Sequence, residues 1–217
     1  MSQDRENEGA EASPAASATP CPFGASLEKY WRRLSATERM MQLDPEALYS
    51  LVIQEAALRT ASVTPGRHVV DAFCGAGGSA IGFARAGKRV TAIELNPARL
   101  EMARYNARLF GVDSQIEFLQ GDALELWPTV KADSVFLSPP WGGPSYSTID
   151  AFRLEHFTPH GVLLLEAAAQ LKTDVVMQLP KNFDRRELDG RGWKVTVSED
   201  VVEGHLLSYT AVMEWEA

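Results

Sequence analysis

Five short apolar runs, set apart by helical patterns and turns, constrain this chain more than any other feature. Arg67–Phe73, Arg89–Glu94, Gln115–Leu119, Ala132–Leu137 and Asp174–Leu179 read as strands, while Gly78–Ala86, Pro97–Phe110 and Pro159–Leu171 carry helical spacing. Strands alternating with helices predict an α/β fold, a mostly parallel sheet wound on both faces. The last two segments, Trp193–Val202 and Leu206–Glu214, meet at Glu203-Gly204 and read as a closing antiparallel pair. In open sheets of this kind ligands bind in the crevice beyond the carboxyl ends of the strands, so the turns leaving those ends carry the functional signal.

The rest of the chain divides around this core. Residues 1–26 are rich in Ala, Ser, Glu and Pro with almost no large apolar side chain. Such a segment buries too little surface to offset its ordering entropy, so a disordered tail is expected, open to a protein partner, with Cys21 incidental in it. Leu27, Tyr30, Trp31 and Leu34, then Leu48, Leu51, Val52 and Ala56, recur at helical spacing around the cap and first-turn pair Asp44-Pro45. Residues 27–61 therefore predict a small N-terminal helical extension of two or three helices, and residues 62–217 the main domain. No apolar run approaches the roughly 18 residues of a membrane span, and no secretory signal pattern opens the chain. Two cysteines, Cys21 and Cys74, give neither a disulfide framework nor a metal-ligand set, which suits a reducing compartment. His68, His156, His160 and His205 show no ligand spacing, so no metal is expected. A net charge of −8 argues against the broad basic surface of a nonspecific polyanion binder and leaves room for a local basic patch.

The first strand runs into Val69-Val70-Asp71-Ala72-Phe73-Cys74-Gly75-Ala76-Gly77-Gly78. Gly75 and Gly77 let the backbone approach a ligand, and the helix that follows favours a negative group at its start. Glu94 ends the second strand, where a carboxylate can accept both hydroxyls of a ribose. Asp122 follows the third strand, within reach of an adenine amine, and Asp71 ends the first, near where a methionine amino group would lie. Each has a plain structural alternative: a turn cap for Asp71, a solvated side chain for Glu94, a helix cap for Asp122. Their joint placement at three successive strand ends points to S-adenosylmethionine. NAD fits less well, because Gly75, Gly77 and Gly78 give Gly-x-Gly-Gly in place of Gly-x-Gly-x-x-Gly. The late hairpin likewise marks a methyltransferase-type sheet and not a dehydrogenase one.

The fourth strand ends in Ser138-Pro139-Pro140-Trp141-Gly142-Gly143-Pro144. Two prolines hold Ser138 and Pro139 extended, giving a stiff turn with outward carbonyls and then a large aromatic, a plausible grip on a flat base bearing an amine. Its plain alternative is a Pro-Gly turn whose Trp covers the core. With Phe136-Leu137 before it and Ser145-Tyr146 after, this stretch, together with Val70–Gly75, Lys29-Tyr30-Trp31 and Leu179-Pro180-Lys181-Asn182, resembles the trimethylguanosine synthase family, the RNA cap guanosine-N2 hypermethylases. The resemblance spans residues 27–214.

That resemblance implies a Rossmann-like S-adenosylmethionine-dependent methyltransferase fold and methyl transfer to the N2 amine of 7-methylguanosine-capped small nuclear or nucleolar RNA, in the nucleus or nucleolus. It implies cofactor contacts from Asp71, Cys74, Gly75, Gly77, Glu94, Asp122 and Ser138. Ser138 and the Pro139 carbonyl would orient the amine, Trp141 would stack on the cationic base, and Tyr49, Lys181 and Asn182 would contact substrate. Gln42 stands where the family often has a basic residue, and Lys181 where many members have Arg. Two rival readings use the same turn: an amine methyltransferase of tRNA, rRNA or DNA, and a cap-binding module that transfers nothing. Trp127 is expected to cover a loop, and Trp31, Trp193 and Trp215 to pack structurally.

Overall fold

The computed structural model describes residues 20–202 and 204–216. Residues 1–19 of the expected tail, and Glu203 of the expected closing turn, lie outside them.

The strands are β1 (His68–Asp71), β2 (Arg89–Glu94), β3 (Ile116–Gln120), β4 (Ser134–Leu137), β5 (Asp174–Pro180), β6 (Trp193–Val202) and β7 (His205–Trp215). They form one sheet in the order β3-β2-β1-β4-β5-β7-β6, with β1 to β5 parallel and β7 antiparallel to both β5 and β6. The chain moves outward from β1 to β3, then returns to lay β4 on the other side of β1. This reversal puts the switch point, and hence the binding crevice, between β1 and β4. Their register pairs Val69 with Ser134, Val70 with Val135 and Asp71 with Phe136.

The helices are α1 (Glu28–Trp31), α2 (Pro45–Ser50), α3 (Gln54–Val63), α4 (Gly78–Arg85), α5 (Pro97–Leu109), α6 (Ala123–Leu126) and α7 (Gly161–Leu171). Successive strand residues point to opposite faces, which builds two cores. Val70, Val135, Leu137 and Met177 bury one face with Leu164 and Leu165 of α7. Val69, Phe136 and Val176 bury the other with Ile81 and Phe83 of α4.

The N-terminal extension holds three helices, α1, α2 and α3, within the two or three its spacing predicts. A 3-10 turn over Glu38–Met40 separates α1 from α2, and Leu51 is extended between α2 and α3. Asp44 caps α2 as expected, its Oδ1 accepting from the Ala47 N–H at 2.6 Å. The reading of residues 1–26 as one tail needs correction from Pro20 onward. The Cys21 N–H donates to Glu28 Oε2 at 3.1 Å, and Cys21 and Phe23 pack against Trp31, Leu34 and Leu48. Cys21 is thus part of the extension's own small core. Helix α3 lies directly on α4: a methyl group at Gly82 would sit 2.3 Å from Ala57 Cβ, and one at Gly78 2.6 Å from the Val52 carbonyl oxygen. Trp127, expected over a loop, is 2% exposed and belongs to the core. Trp193 and Trp215 pack edge to face at 5.1 Å, as expected of structural residues.

Candidate active site

One lip of the crevice is the turn between β1 and α4. Gly75 (φ 52°) and Gly77 (φ 92°) both adopt left-handed backbone, a conformation that would cost another residue roughly 1–2 kcal/mol. The turn is tied to β2 by the Cys74 N–H on the Ile93 carbonyl and the Gly75 N–H on Glu94 Oε2, both at 2.9 Å. Glu94 Oε1 accepts from the Asn96 N–H at 2.9 Å, so this carboxylate also sets the entry to α5. Each of its oxygens keeps a second lone pair for an incoming hydroxyl.

Asp71 is the most perturbed group of this lip. It is 0% exposed; its Oδ1 accepts a long 3.4 Å bond from the Phe73 N–H, and its Oδ2 is buried with no partner. Burial foremost, with the neighbouring Glu94 charge adding, pushes the carboxyl up to about 7 against the pull of the Phe73 N–H. A buried acceptor left orphaned beside a glycine-rich turn calls for a donor, and a cationic amine is the best match. An amino-acid moiety such as that of S-adenosylmethionine fits this requirement. Burial likewise raises the Cys74 thiol, so Cys74 offers the turn its backbone and apolar bulk.

Asp122 shows the capping role weighed from sequence: its Oδ1 accepts from the Leu124 N–H at 2.8 Å at the start of α6. It sits at the end of β3, two strands from β1. Sequence reasoning passed over Leu95. It is 69% exposed immediately after Glu94, an apolar surface beside that carboxylate. The available signal was a Leu directly following a strand-end acid.

The other lip follows β4. Ser138 is half-buried, Pro139 buried, and the Pro140 carbonyl accepts from the Thr158 N–H at 3.2 Å. Trp141 is half-buried and meets Tyr146 edge to face at 5.1 Å; Tyr146 in turn meets Phe152 at 6.4 Å. Asn182 holds this lip from behind. Its Nδ2 donates to the Tyr146 carbonyl at 3.1 Å and the Ile149 carbonyl at 2.7 Å, while its Oδ1 is buried without a partner. The Asn182 amide nitrogen is therefore committed to the turn. Lys181, beside it, is exposed. From the extension, the Tyr49 hydroxyl reaches to 3.4 Å from where a Gly143 Cβ would lie, and its ring is 6.3 Å from Tyr30.

A side chain that the sequence did not single out joins the lips. Arg99 of α5 donates from Nε to Asp44 Oδ2 at 3.0 Å and pairs with Glu46. It fastens α2, and so Tyr49, to the helix whose start Glu94 organises. A hollow of about 290 Å³ lined by Trp127, Lys131, Leu171 and Thr173 lies at the opposite, amino ends of β4 and β5. Among the described residues no cluster of three or more His, Cys, Asp or Glu could hold a metal, and no helix is long and apolar enough to cross a membrane.

Comparison with known proteins places the chain among methyltransferases. The profile of the RNA cap guanine-N2 methyltransferase family matches residues 66–213. Trimethylguanosine synthase of Schizosaccharomyces pombe is 32% identical over 187 residues, covering 79% of this chain and 77% of that protein. The Saccharomyces cerevisiae trimethylguanosine synthase is 35% identical over 134 residues, covering 58% of this chain but 42% of that protein. Among solved structures, TrmN from Thermus thermophilus superposes with a TM-score of 0.53 at 26% identity, over 75% of this chain and 48% of that one. The Pyrococcus abyssi tRNA (uracil-54, C5)-methyltransferase, in complex with S-adenosyl-L-homocysteine, gives a TM-score of 0.53 at 18% identity over 73% and 37% of the two chains, a likeness of fold. The sheet is that of the Rossmann-like S-adenosylmethionine-dependent methyltransferases, as expected.

Proposed function

The chain belongs to the RNA cap guanine-N2 methyltransferase family, and from that premise we propose that it methylates the N2 amine of a 7-methylguanosine cap, giving 2,7-dimethyl- or 2,2,7-trimethylguanosine on small nuclear or nucleolar RNA. A nuclear or nucleolar setting goes with that substrate. One observation carries the reading. Asp71 and Phe136 are register partners on adjacent strands, so the orphaned carboxylate and the Ser138-Pro139-Pro140-Trp141 turn open side by side at the switch point.

S-adenosylmethionine supplies an electrophilic methyl on a sulfonium. Asp71 Oδ2 would accept from its amino group, Gly75 and Gly77 would admit close approach, Glu94 would take the ribose hydroxyls, Leu95 would cover a purine face, and the capping Asp122 would use its free oxygen for the adenine amine. On the acceptor side the indole of Trp141 attracts the delocalised charge that N7 methylation leaves on guanine. Tyr49 and Tyr146 flank that platform. Ser138 and the Pro139 carbonyl fix the amine's direction, and the prolines exclude backbone donors that would compete for the base. Such positioning can supply a large part of a transfer barrier. Lys181 meets phosphate as a point charge, and Asn182 keeps the turn in shape.

The test is incubation of the protein with labelled S-adenosylmethionine and, in parallel, 7-methyl-GTP, GTP and uncapped RNA. Label is expected on 7-methyl-GTP. Transfer to GTP but not to 7-methyl-GTP sinks the cap reading, label on uncapped RNA favours a tRNA or rRNA enzyme, and binding without transfer favours a module. Trp141→Ala should weaken 7-methyl-GTP binding by about 1–3 kcal/mol, the range for a base on an aromatic, with S-adenosylhomocysteine affinity unchanged.

A further inference from the structure

The turn Gly75-Ala76-Gly77-Gly78 carries a single methyl group of side chain, so its shape depends on what grips its backbone. One grip comes from β2, through Glu94 on the Gly75 N–H. Two others come from buried amides. Asn106 of α5 donates from Nδ2 to the Ala76 carbonyl, and Gln54, the first residue of α3, donates from Nε2 to the Gly78 carbonyl, both at 2.9 Å. The same Asn106 accepts from the Gln42 N–H at 2.7 Å and donates to the Gln42 carbonyl at 2.9 Å. Gln42 and Gln54 are the two roots of the segment that carries α2 and Tyr49. Both roots are therefore tied to the turn, Gln42 through Asn106 and Gln54 directly.

The orientation of the Gln54 amide is fixed by its second partner, Arg85, which donates from Nη1 to Oε1 at 3.1 Å. A guanidinium only donates, so the amide oxygen faces Arg85 and the amide nitrogen is left for Gly78. The Gln54 N–H in turn donates to Oε1 of the buried Glu38 at 2.7 Å, while Glu38 Oε2 accepts from the Ser35 N–H at 2.9 Å. A line of buried polar groups thus runs from the extension to the first residue of α4. Gly78 opens that helix, whose first N–H groups have no partner within it and favour a negative group. We propose that Gln54 is a positioning residue for the methyl donor: it acts through the Gly78 carbonyl, setting where α4 begins and so how tightly the amino-acid end of the donor is held. This rests on the reading of the lip between β1 and α4 as the donor's site. It makes the extension a contributor to donor affinity as well as the bearer of Tyr49.

The test compares, by calorimetry on the full chain, binding of S-adenosylhomocysteine and of 5′-methylthioadenosine, which shares the nucleoside but has no amino-acid end. Gln54→Met removes both side-chain bonds at nearly constant volume. It should lower S-adenosylhomocysteine affinity about 3- to 10-fold, the span for one lost hydrogen bond, and leave methylthioadenosine affinity unchanged. Gln54→Glu keeps the contact with Arg85 but cannot donate to Gly78, and should show the same selective loss. Arg85→Met leaves the Gly78 bond in place and should bind both ligands as the wild type does, although it gives up a bond of the same network. Equal losses for the two ligands, equal losses in the Gln54 and Arg85 variants, or an unchanged S-adenosylhomocysteine affinity in the Gln54 variants make Gln54 a part of the fold only and overturn the proposal. A wild type that binds S-adenosylhomocysteine no more tightly than methylthioadenosine sinks the reading of the lip, and the proposal with it.

Discussion

Asp71 makes the charge state of the lip between β1 and α4 readable in a melting curve. Its carboxyl is fully buried and titrates near 7, where an ordinary aspartate stands at 3.8. Between those values the folded chain holds a proton that the unfolded chain has released. Stability is therefore lost as pH rises from about 4 to about 7, and that contribution is flat above. At about 1.4 kcal/mol per pH unit, the loss over the window amounts to as much as ~4 kcal/mol. For a domain of this size that is ~10 °C in Tm. Asp71→Asn imitates the protonated carboxyl, so its difference curve against wild type should rise steadily from pH 5 to pH 7 in favour of the variant and then level off. Taking the difference removes Asp44 and Asp133, whose carboxyls sit below their usual range and matter only at the acid end. S-adenosylhomocysteine carries the ammonium that Oδ2 lacks. Its affinity at pH 8 should fall about 10- to 100-fold in Asp71→Asn, as expected for a hydrogen bond to a charged group. Parallel melting curves across the whole range, or an unchanged S-adenosylhomocysteine affinity, would refute the reasoning.

Three further outcomes follow from the packing. Arg99→Gln frees α2 from α5; with Arg99 only 22% exposed, it should cost about 1–2 kcal/mol in denaturant unfolding and raise the KM for 7-methyl-GTP more than that for the methyl donor. Gly82→Ala drives a methyl group to 2.3 Å from Ala57 Cβ, so α3 and α4 must part and stability should drop by about 1–3 kcal/mol, read by urea titration. Asn182→Ala releases the carbonyls of Tyr146 and Ile149, and limited proteolysis should then cut within residues 143–149 while S-adenosylhomocysteine still binds.

The late hairpin was legible from its turn, and the central strands were legible because β1, β2, β4 and β5 are short apolar runs buried along most of their length. Their ends were less so. β1 starts at His68 and not at Arg67, because Asp133 Oδ2 accepts the N–H groups of both residues at 2.7 and 2.9 Å and holds the chain as a loop there. α7 begins at Gly161, two residues later than its pattern suggested, after an extended His160. At the site, Asp71 and Glu94 could be placed at strand ends from sequence, but the orphaned Oδ2 could not, since it depends on what surrounds it. Asn182 and Arg99 act across 33 and 55 residues of chain, distances at which no local pattern speaks. Asp122 had two readings on paper; its helix cap is visible in the fold, while its hold on an adenine amine stays a proposal.

The glycines of α4 bear on how this protein can be handled. Gly78 and Gly82 admit α3 so closely that its backbone takes the place of side chains the sheet's helix does not have. The stretch matching the family begins at residue 66, after α3 has ended at Val63. Trimming an expression clone to that stretch would strip α3 from the face of α4 that carries Gly78 and Gly82. Such a fragment is set to be sticky and poorly soluble however intact the turns of its crevice remain. Cloning boundaries belong upstream of α1, and a purification tag is better carried there than fused to β1.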